Sequence, residues 1–306
     1  MGRMDTSLLR SILHTAQPLY LISGFLSYTL GLGIAYYLGT PLNWLIAFLG
    51  AAWVFVFQLG MHFLAAYFHP PRHLETPSRF QNEDDGENLP VPRLRRDRFL
   101  WAAFAAFAAL TSLLLLLMQL LSSSSPALFV MGLSVLGAFF FAVPPYQWIN
   151  RGYGELMLAI VIANFFPALA FLLQVGALHR LVAMSTFPLT LLFLALLLAY
   201  QLPDYLQDLR QGRRNLMVRL GWERGMVFHN VLILSAYLLI GVAIVFGMPL
   251  SIGLPTFFVL PLGLFQVWYM TRIAAGAKPN WRALTMTASL TFGLTAYLLA
   301  FAYWAP

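Results

Sequence analysis

The sequence predicts an all-α fold, namely a polytopic membrane bundle of about nine transmembrane helices whose N-terminus lies in the cytoplasm. The first observation is the composition, because 60% of the 306 residues are hydrophobic and only 9% are charged. The mean hydropathy of +0.75 lies far above that of soluble domains. The second observation is the position of the charges. When the apolar segments cross a membrane in alternation, Arg180 alone of the 18 Lys and Arg residues falls on the outer side.

Nine apolar segments are long enough to cross the hydrocarbon core of a bilayer, which takes about 20 helical residues. In chain order they are 18–38, 44–67, 99–121, 127–145, 154–174, 184–202, 226–246, 254–271 and 283–304. The outer connections are short, whereas the two long loops, 69–98 and 203–225, fall on the cytoplasmic side. We therefore predict a single integral membrane domain, 1–306, that makes multiple passes through the inner (plasma) membrane of the cell and contacts membrane lipid.

The net charge of +7 does not indicate a nucleic-acid-binding protein. The basic residues lie where the positive-inside rule places them, so the topology explains the excess and we expect no nucleic-acid partner. The chain contains no cysteine, which excludes disulfides, thiolate metal sites and a cysteine nucleophile.

The segment 201–221, QLPDYLQDLRQGRRNLMVRLG, places two acidic residues at the end of an apolar helix. Asp204 and Asp208 are four residues apart. A helix that continues through both would put the two carboxylates on one face, where one hard cation could bridge them. Arg210 and Arg213 follow closely and offer donors for a phosphate group. Carboxylates and arginines together at a membrane edge predict metal-dependent chemistry on a diphosphate.

A second informative segment is 144–156, PPYQWINRGYGEL, which follows the fourth apolar segment. Its two prolines end a helix, and Glu155 stands in the first turn of the next helix. The helix dipole favours a glutamate there, so a structural cap and a functional acid both remain open interpretations. Asn164 and Gln174 lie deeper in the same helix, where polar side chains either bond to another helix or line a wet cavity.

On these two segments, and on nine apolar segments with long loops after the second and the sixth, the chain resembles the UbiA-type intramembrane prenyltransferase superfamily. The stretch 144–156 is similar to the Pro-Pro, basic, Gly-x-Gly-Glu pattern of the branch that prenylates 1,4-dihydroxy-2-naphthoate in menaquinone biosynthesis. The stretch LPDYLQDLRQGRRNLMVRLG is similar to the second aspartate motif of the superfamily. The resemblance covers nearly the whole chain.

The resemblance implies a UbiA-like bundle around a cavity that is open to lipid, with two aspartate-rich motifs facing each other across it. It implies a transferase of alkyl or aryl groups, in which Mg2+ holds an isoprenyl diphosphate that ionises to an allylic cation, and an aromatic acceptor attacks this cation. On this basis Asp204 and Asp208 are catalytic and bind Mg2+, whereas Arg151, Arg210 and Arg213 bind the diphosphate.

The first aspartate motif is degenerate in this chain. The family pattern Asn-Asp-x-x-Asp-x-x-x-Asp falls on LAAYFHPPRH. Ala65 and Ala66 then replace Asn-Asp, and His69 and His73 replace the later aspartates. Mg2+ prefers hard oxygen ligands, so histidines replace these carboxylates poorly. The threonine expected after the second motif is Asn215.

Two functions therefore remain open at this point. One is a prenyltransferase that uses Mg2+ and modifies an aromatic quinone precursor. The other is a pseudoenzyme, a non-catalytic subunit of a membrane complex that binds an isoprenoid, quinone or pigment, with no cofactor or with a bound lipid.

Two groups of residues would offer replacement ligands for a metal. His62, His69 and His73 would suit a transition metal or the metal of a tetrapyrrole, unless they simply hydrogen-bond at a helix end. The acidic cluster at 83–87 would supply oxygen ligands if its loop folded over the cavity, unless it is a solvated loop tip.

Overall fold

The computed structural model describes residues 18–69, 93–120 and 125–305. Side chains are described from residue 97 in the second range and from residue 126 in the third. All regular structure in these ranges is helical, so the all-α fold class is confirmed. His73 of the predicted first motif and the acidic cluster at 83–87 lie outside the described residues.

The helices of the described ranges are numbered here in chain order. They are α1 (Pro18–Tyr37), α2 (Trp44–Phe68), α3 (Arg93–Leu120), α4 (Ser125–Ala142), α5 (Gly154–Val175), α6 (Arg180–Gln201), α7 (Tyr205–Arg210), α8 (Leu216–Leu220), α9 (Trp222–Val245), α10 (Leu250–Ala274) and α11 (Trp281–Trp304). Helix α5 contains a π-helical turn at Val161–Phe165, just before Pro167, which has no N–H to donate.

Eight helices in the described ranges are long and apolar enough to cross a membrane. They are α1, α2, α3 from Asp97, α5, α6 with its extension to Arg210, α9, α10 and α11. The remaining predicted segment, the fourth in chain order, is α4, which is also helical and apolar but shorter, at Pro126–Ala142. It ends before Pro144 and Pro145, as predicted, because proline cannot continue a helix.

Helices α5 and α6 form the centre of the bundle. In the most apolar part of each, 78% of the residues are buried, against 22% in α3, which lies at the periphery. Helix α1 packs between α5 and α11, and α9 packs against α6. At Gly31, α1 comes so close to α5 that an added Cβ atom would stand 2.1 Å from the backbone oxygen of Pro167. Small residues at such crossings let membrane helices pack tightly.

The outer surface of the bundle carries large apolar side chains. Phe48, Trp101, Val245 and Phe258 are all exposed. Water disfavours an apolar surface of this extent, whereas lipid chains solvate it, and helices satisfy their backbone hydrogen bonds internally. The helix lengths and this surface are those of a multi-pass membrane protein.

Polar side chains inside the bundle connect helices to one another. Asn164 of α5 donates to the hydroxyl of Thr186 in α6 over 3.1 Å. The Gln174 side chain accepts from the backbone N–H of Asn43 over 2.8 Å. Both residues therefore make the inter-segment hydrogen bonds that were one of their two predicted roles.

Candidate functional site

Three stretches that the sequence singles out meet at one end of the bundle. We call it the basic end, formed by the ends of α2 and α6, the start of α5, and helices α7 and α8. The amide of Asn150, before α5, donates to His69 Nδ1, after α2, over 2.9 Å. Arg219 of α8 donates to the backbone oxygen of Arg151 over 2.8 Å. The fold thus joins the first-motif position, the segment 144–156 and the segment 201–221.

The aspartate pair lies where α6 gives way to α7. A helix that continues through Asp204 and Asp208 would place both carboxylates on one face. The chain remains helical to Arg210, with a 3-10 turn at Leu202–Asp204 between α6 and α7. Pro203 stands inside this turn and cannot donate the backbone hydrogen bond that a continuous helix requires. Asp208 is buried, with 3% of its surface exposed, whereas Asp204 is half-buried.

Asn215 holds the buried carboxylate of Asp208. Its side-chain amide donates to Asp208 Oδ2 over 2.7 Å. The Oδ1 atom of the same amide accepts from the backbone N–H of Val218 over 2.9 Å and so caps α8. Asn215 therefore fixes the orientation of one predicted metal ligand.

We expect Asn215→Asp to lower the free energy of unfolding by about 1–3 kcal/mol, because it keeps the cap but removes the donor to Asp208 and adds a like charge. The midpoint of thermal unfolding in detergent micelles measures this. Asn280→Asp is the matched control, since Asn280 caps α11 through the Ala283 N–H and has no described bond to an acid. Equal shifts in the two variants would contradict the expectation.

The three predicted diphosphate-binding arginines occupy different environments. Arg210 is exposed, and because it follows Asp208 by two residues it points to the other side of α7, about 200° around the helix. Arg213 is half-buried, and its backbone N–H donates to the Asp208 carbonyl over 2.9 Å. The exposed Arg151 donates to the backbone oxygen of Pro145 over 2.7 Å. Of the three, Arg213 lies most closely beside the buried aspartate.

Arg219 docks α8 onto the segment before α5. Besides the Arg151 carbonyl, its guanidinium donates to the hydroxyl of Tyr153 over 2.8 Å and lies 4.2 Å from the centre of that ring. Gly152 has a φ of 71°, and a Cβ there would stand 2.8 Å from the side chain of Arg219. The glycine is therefore needed both for the turn and for the close approach.

Glu155 is buried at the start of α5, with 6% of its surface exposed. The Gln201 side-chain amide donates to Glu155 Oε1, and Gln201 Oε1 accepts from the backbone N–H of Met217 over 3.1 Å. The backbone N–H groups of Glu155 itself and of Leu216 also lie near the Glu155 carboxyl group, although Oε2 makes no close hydrogen bond among the described residues. The carboxylate of Asp208 lies within electrostatic range. The Glu155 side chain therefore links α5 to Gln201 of α6, so its role is not limited to capping α5.

The described end of α2 offers apolar side chains at the positions where the resemblance expects a first acidic motif. Ala65 and Ala66 are buried, with 7% and 4% of their surfaces exposed. His69 ends the helix, where its N–H donates to the Ala65 carbonyl over 2.7 Å. Because His69 Nδ1 accepts from Asn150, that nitrogen is already engaged.

The described residues offer carboxylate ligands for a metal at the aspartate pair but none at the end of α2. Mg2+ is commonly bound by one or two carboxylates together with substrate phosphates, and Asp204 and Asp208 supply such a pair. At the end of α2, where the resemblance expects the first acidic motif, the side chains of Ala65 and Ala66 supply no oxygen ligand. Within the described ranges, no group of three or more His, Asp or Glu side chains is arranged to hold a metal ion.

Two further polar side chains lie near the basic end, at positions outside the two predicted aspartate motifs. His62 of α2 is buried, with 6% exposed, and its Nε2 has no partner among the described residues. Its ring centre lies 5.3 Å from that of Tyr20 in α1. Tyr20 is also within electrostatic range of Glu155. The spacing of His62 and His69, seven residues apart, gives a hint of a common face but does not indicate Tyr20.

Comparisons with solved structures support the fold. A UbiA homologue from Archaeoglobus fulgidus bound to GPP and Mg2+ is 16% identical with a TM-score of 0.62, over 96% of this chain and 98% of that chain. A UbiA homologue from Aeropyrum pernix K1 is 15% identical with a TM-score of 0.57, over 94% and 96%. A digeranylgeranylglyceryl phosphate synthase is 16% identical with a TM-score of 0.55, over 96% and 97%.

Sequence comparison gives the family directly. No curated protein matches the sequence. The sequence model of the UbiA prenyltransferase family matches residues 84–291, which is more than half of the chain and includes the segments 144–156 and 201–221. The chain therefore belongs to the UbiA prenyltransferase family.

Proposed function

We propose that the protein transfers an isoprenyl group from its diphosphate to an aromatic quinone precursor of the 1,4-dihydroxy-2-naphthoate type, in menaquinone biosynthesis. The observation that carries the proposal is the carboxylate of Asp208, buried at the basic end beside Asp204 and held by the Asn215 amide. A buried, oriented carboxylate is a typical cation ligand. Membership of the family and the GPP and Mg2+ bound to the A. fulgidus homologue support it.

The residues would divide the work as follows. Asp204 and Asp208 would hold Mg2+, which would supply positive charge to neutralise the departing diphosphate. Arg213 and Arg151 would bind the diphosphate, whereas Arg210, on the opposite side of α7 from Asp208, is the least suited of the three predicted arginines. The allylic C–O bond breaks and its electron pair leaves with pyrophosphate. A ring carbon of the acceptor then forms the new C–C bond and loses its proton to a base.

The direct test is turnover by the purified protein in lipid nanodiscs. With Mg2+, a radiolabelled isoprenyl diphosphate and 1,4-dihydroxy-2-naphthoate, we expect release of pyrophosphate and labelling of the ring. The absence of both, above a control without protein, would reject the proposal.

A second candidate function is a non-catalytic subunit that binds an isoprenoid, quinone or pigment within a membrane complex. It is favoured by Ala65 and Ala66 at the end of α2 and by the engagement of His69 with Asn150. Extraction in mild detergent should then bring down partner proteins or a bound lipid that mass spectrometry detects. A monodisperse monomer without a lipid ligand would count against this candidate.

The charge pattern also supports a proposed topology in the inner membrane. In it, the basic end and the loops 69–98 and 203–225 face the cytoplasm. The chain has no cysteine, so single cysteines report their side directly. Leu178→Cys, between α5 and α6, should react with a membrane-impermeant maleimide on intact cells, because Leu178 is 65% exposed. Gln211→Cys, at an exposed position between α7 and α8, should react only after permeabilisation. The reverse labelling pattern would show that the topology is inverted.

A further inference from the structure

A groove on the lipid-facing surface lies between α9 and the start of α10, away from the basic end. Its volume is about 490 Å3, within the range of about 300–1,000 Å3 that is usual for clefts that hold a small molecule. Residues of α9 from Tyr237 onward and Phe246 line one side, and Phe257 lines it from α10. The groove is open along its length, since Leu238 and Val245 are 68% and 80% exposed.

The lining of the groove suits a hydrocarbon chain. The hydroxyl of Tyr237 bonds to that of Thr295 in α11 over 3.2 Å, and the Tyr237 ring centre lies 6.2 Å from that of Phe257. The other lining side chains have no polar atom. At Gly241, an added Cβ atom would meet only the Phe257 ring, 4.0 Å away, so this glycine leaves space beside α10. A ligand that fills the groove is therefore apolar where it lies along α9.

The length of the groove matches one leaflet of a bilayer. Phe246 follows Tyr237 by nine residues, which span about 14 Å of helix. Half of a hydrocarbon core that is about 30 Å thick measures about 15 Å. Helix α9 starts beside α8 at the basic end and finishes at Val245, so the Phe246 end of the groove lies at the opposite face of the membrane. The groove thus runs from that face to the middle of the bilayer.

A single cation lies at the Phe246 end of the groove. The guanidinium of Arg180, at the start of α6, lies beside Gly247, where a Cβ atom would stand 3.3 Å from Arg180 Nη2. Arg180 is exposed. In the described connections at this end, 38–43, 176–180 and 246–249, it is the one Lys or Arg, and these stretches contain no Asp or Glu. The phosphate groups of lipids lie at this depth and supply the matching negative charge.

We propose that the groove and Arg180 form a binding site for a phospholipid, with an acyl chain along α9 and the phosphate on the Arg180 guanidinium. An arginine binds a phosphate through two parallel N–H···O bonds, which gives the headgroup a fixed position above the chain. The φ of 105° at Gly247 and the approach of Arg180 both favour glycine there. The site lies at the opposite end of the bundle from Asp208, so the inference is independent of the transfer reaction.

The test is photolabelling of the full chain in detergent micelles. A phosphatidylglycerol with a diazirine in the middle of one acyl chain is added and irradiated, and mass spectrometry of peptides locates the label. We expect the label on α9 within 237–246, severalfold above the exposed face of α11 at Tyr297, which is 52% exposed. Equal labelling of the two faces would indicate only the lipid that surrounds any membrane protein, and it would overturn the proposal.

Unlabelled competitors identify the recognised group. Phosphatidylglycerol and a diacylglycerol with the same chains differ only in the headgroup. We expect the phospholipid to displace the label from α9 at about fivefold lower concentration, as one arginine near an anionic headgroup implies. Arg180→Gln should abolish this difference, whereas Arg282→Gln, at an exposed arginine of the basic end, should preserve it. Equal competition on the unchanged chain would overturn the proposal, as would stronger competition by the isoprenoid alcohol geranylgeraniol.

A larger side chain in the groove should exclude the acyl chain. Gly241→Leu should reduce the labelling of α9 severalfold or more, because the leucine occupies the space beside Phe257. Gly293→Leu is the matched control, since Gly293 of α11 is also helical and half-buried, and an added Cβ there would contact nothing. Both changes replace a helical glycine by a better helix former. Undiminished labelling of folded Gly241→Leu would refute the site. If this variant does not fold, the competition on the unchanged chain decides.

Discussion

Changing Asp204 and Asp208 together to asparagine should lower the release of pyrophosphate at least a hundredfold. Asparagine has nearly the size and shape of aspartate, and it still offers an oxygen to the Asn215 amide, so the local fold around α7 and α8 is retained. What is lost is the negative charge that would bind Mg2+ against the diphosphate. Removal of a single electrostatic contact to a transition state commonly costs about 10²–10³ in rate.

The measurement is pyrophosphate release with saturating isoprenyl diphosphate, over a range of Mg2+ concentrations. Asp97→Asn is a control for the chemical change at each position, because Asp97 is an exposed acid on α3 and the substitution is the same, although it removes one charge where the double variant removes two. Its rate should stay within about twofold of the unchanged chain, as expected of an exposed charge in screening solvent. If the double variant retained most of its activity, the diphosphate would have to be held elsewhere, and the acidic cluster at 83–87 would be the next candidate.

The helices could be predicted from the sequence because the bilayer leaves few alternatives. A segment of about 20 apolar residues must satisfy its backbone hydrogen bonds internally, which a helix does. The end of α6 shows where such a prediction is less accurate. The spacing of Asp204 and Asp208 leaves open whether one helix runs through both residues. The chain stays helical to Arg210, but Pro203 lies in a 3-10 turn that the apolar pattern of α6 does not indicate.

The contacts of the site were less accessible to prediction, because they depend on how the helices pack. Gln201 and Glu155 are 46 positions apart, and His69 and Asn150 are 81 apart. The helical periodicity of a segment does not specify which of its side chains meet those of another helix across the bundle. The role of Asn215 had a local signal, since asparagine is a good N-cap, but its bond to Asp208 required the fold of the α7–α8 turn.

Rebuilding the first acidic motif should have the opposite effect to removing the second. Ala66→Asp with His69→Asp places two carboxylates at the end of α2, where the family resemblance implies a first acidic motif that faces Asp204 and Asp208. At position 69, an aspartate could still accept from the Asn150 amide that now donates to His69. We expect pyrophosphate release that depends on Mg2+ to rise at least tenfold, which corresponds to about 1.4 kcal/mol of added stabilisation of the transition state.

The control for this experiment is Ala66→Asn with His69→Asn, which adds side chains of the same size without the charges. Burial of Ala66 means that either pair must displace packed atoms at the end of α2, so both pairs should lower the unfolding midpoint. Only the double aspartate variant should gain activity. Mg2+ should also raise its midpoint of thermal unfolding more than that of the double asparagine variant. If the folded aspartate pair shows neither gain, the two sides of this bundle do not face one cation site. The loss of the first motif would then have been accompanied by a change in the geometry of the basic end, and the non-catalytic binding function would be the better description of the protein.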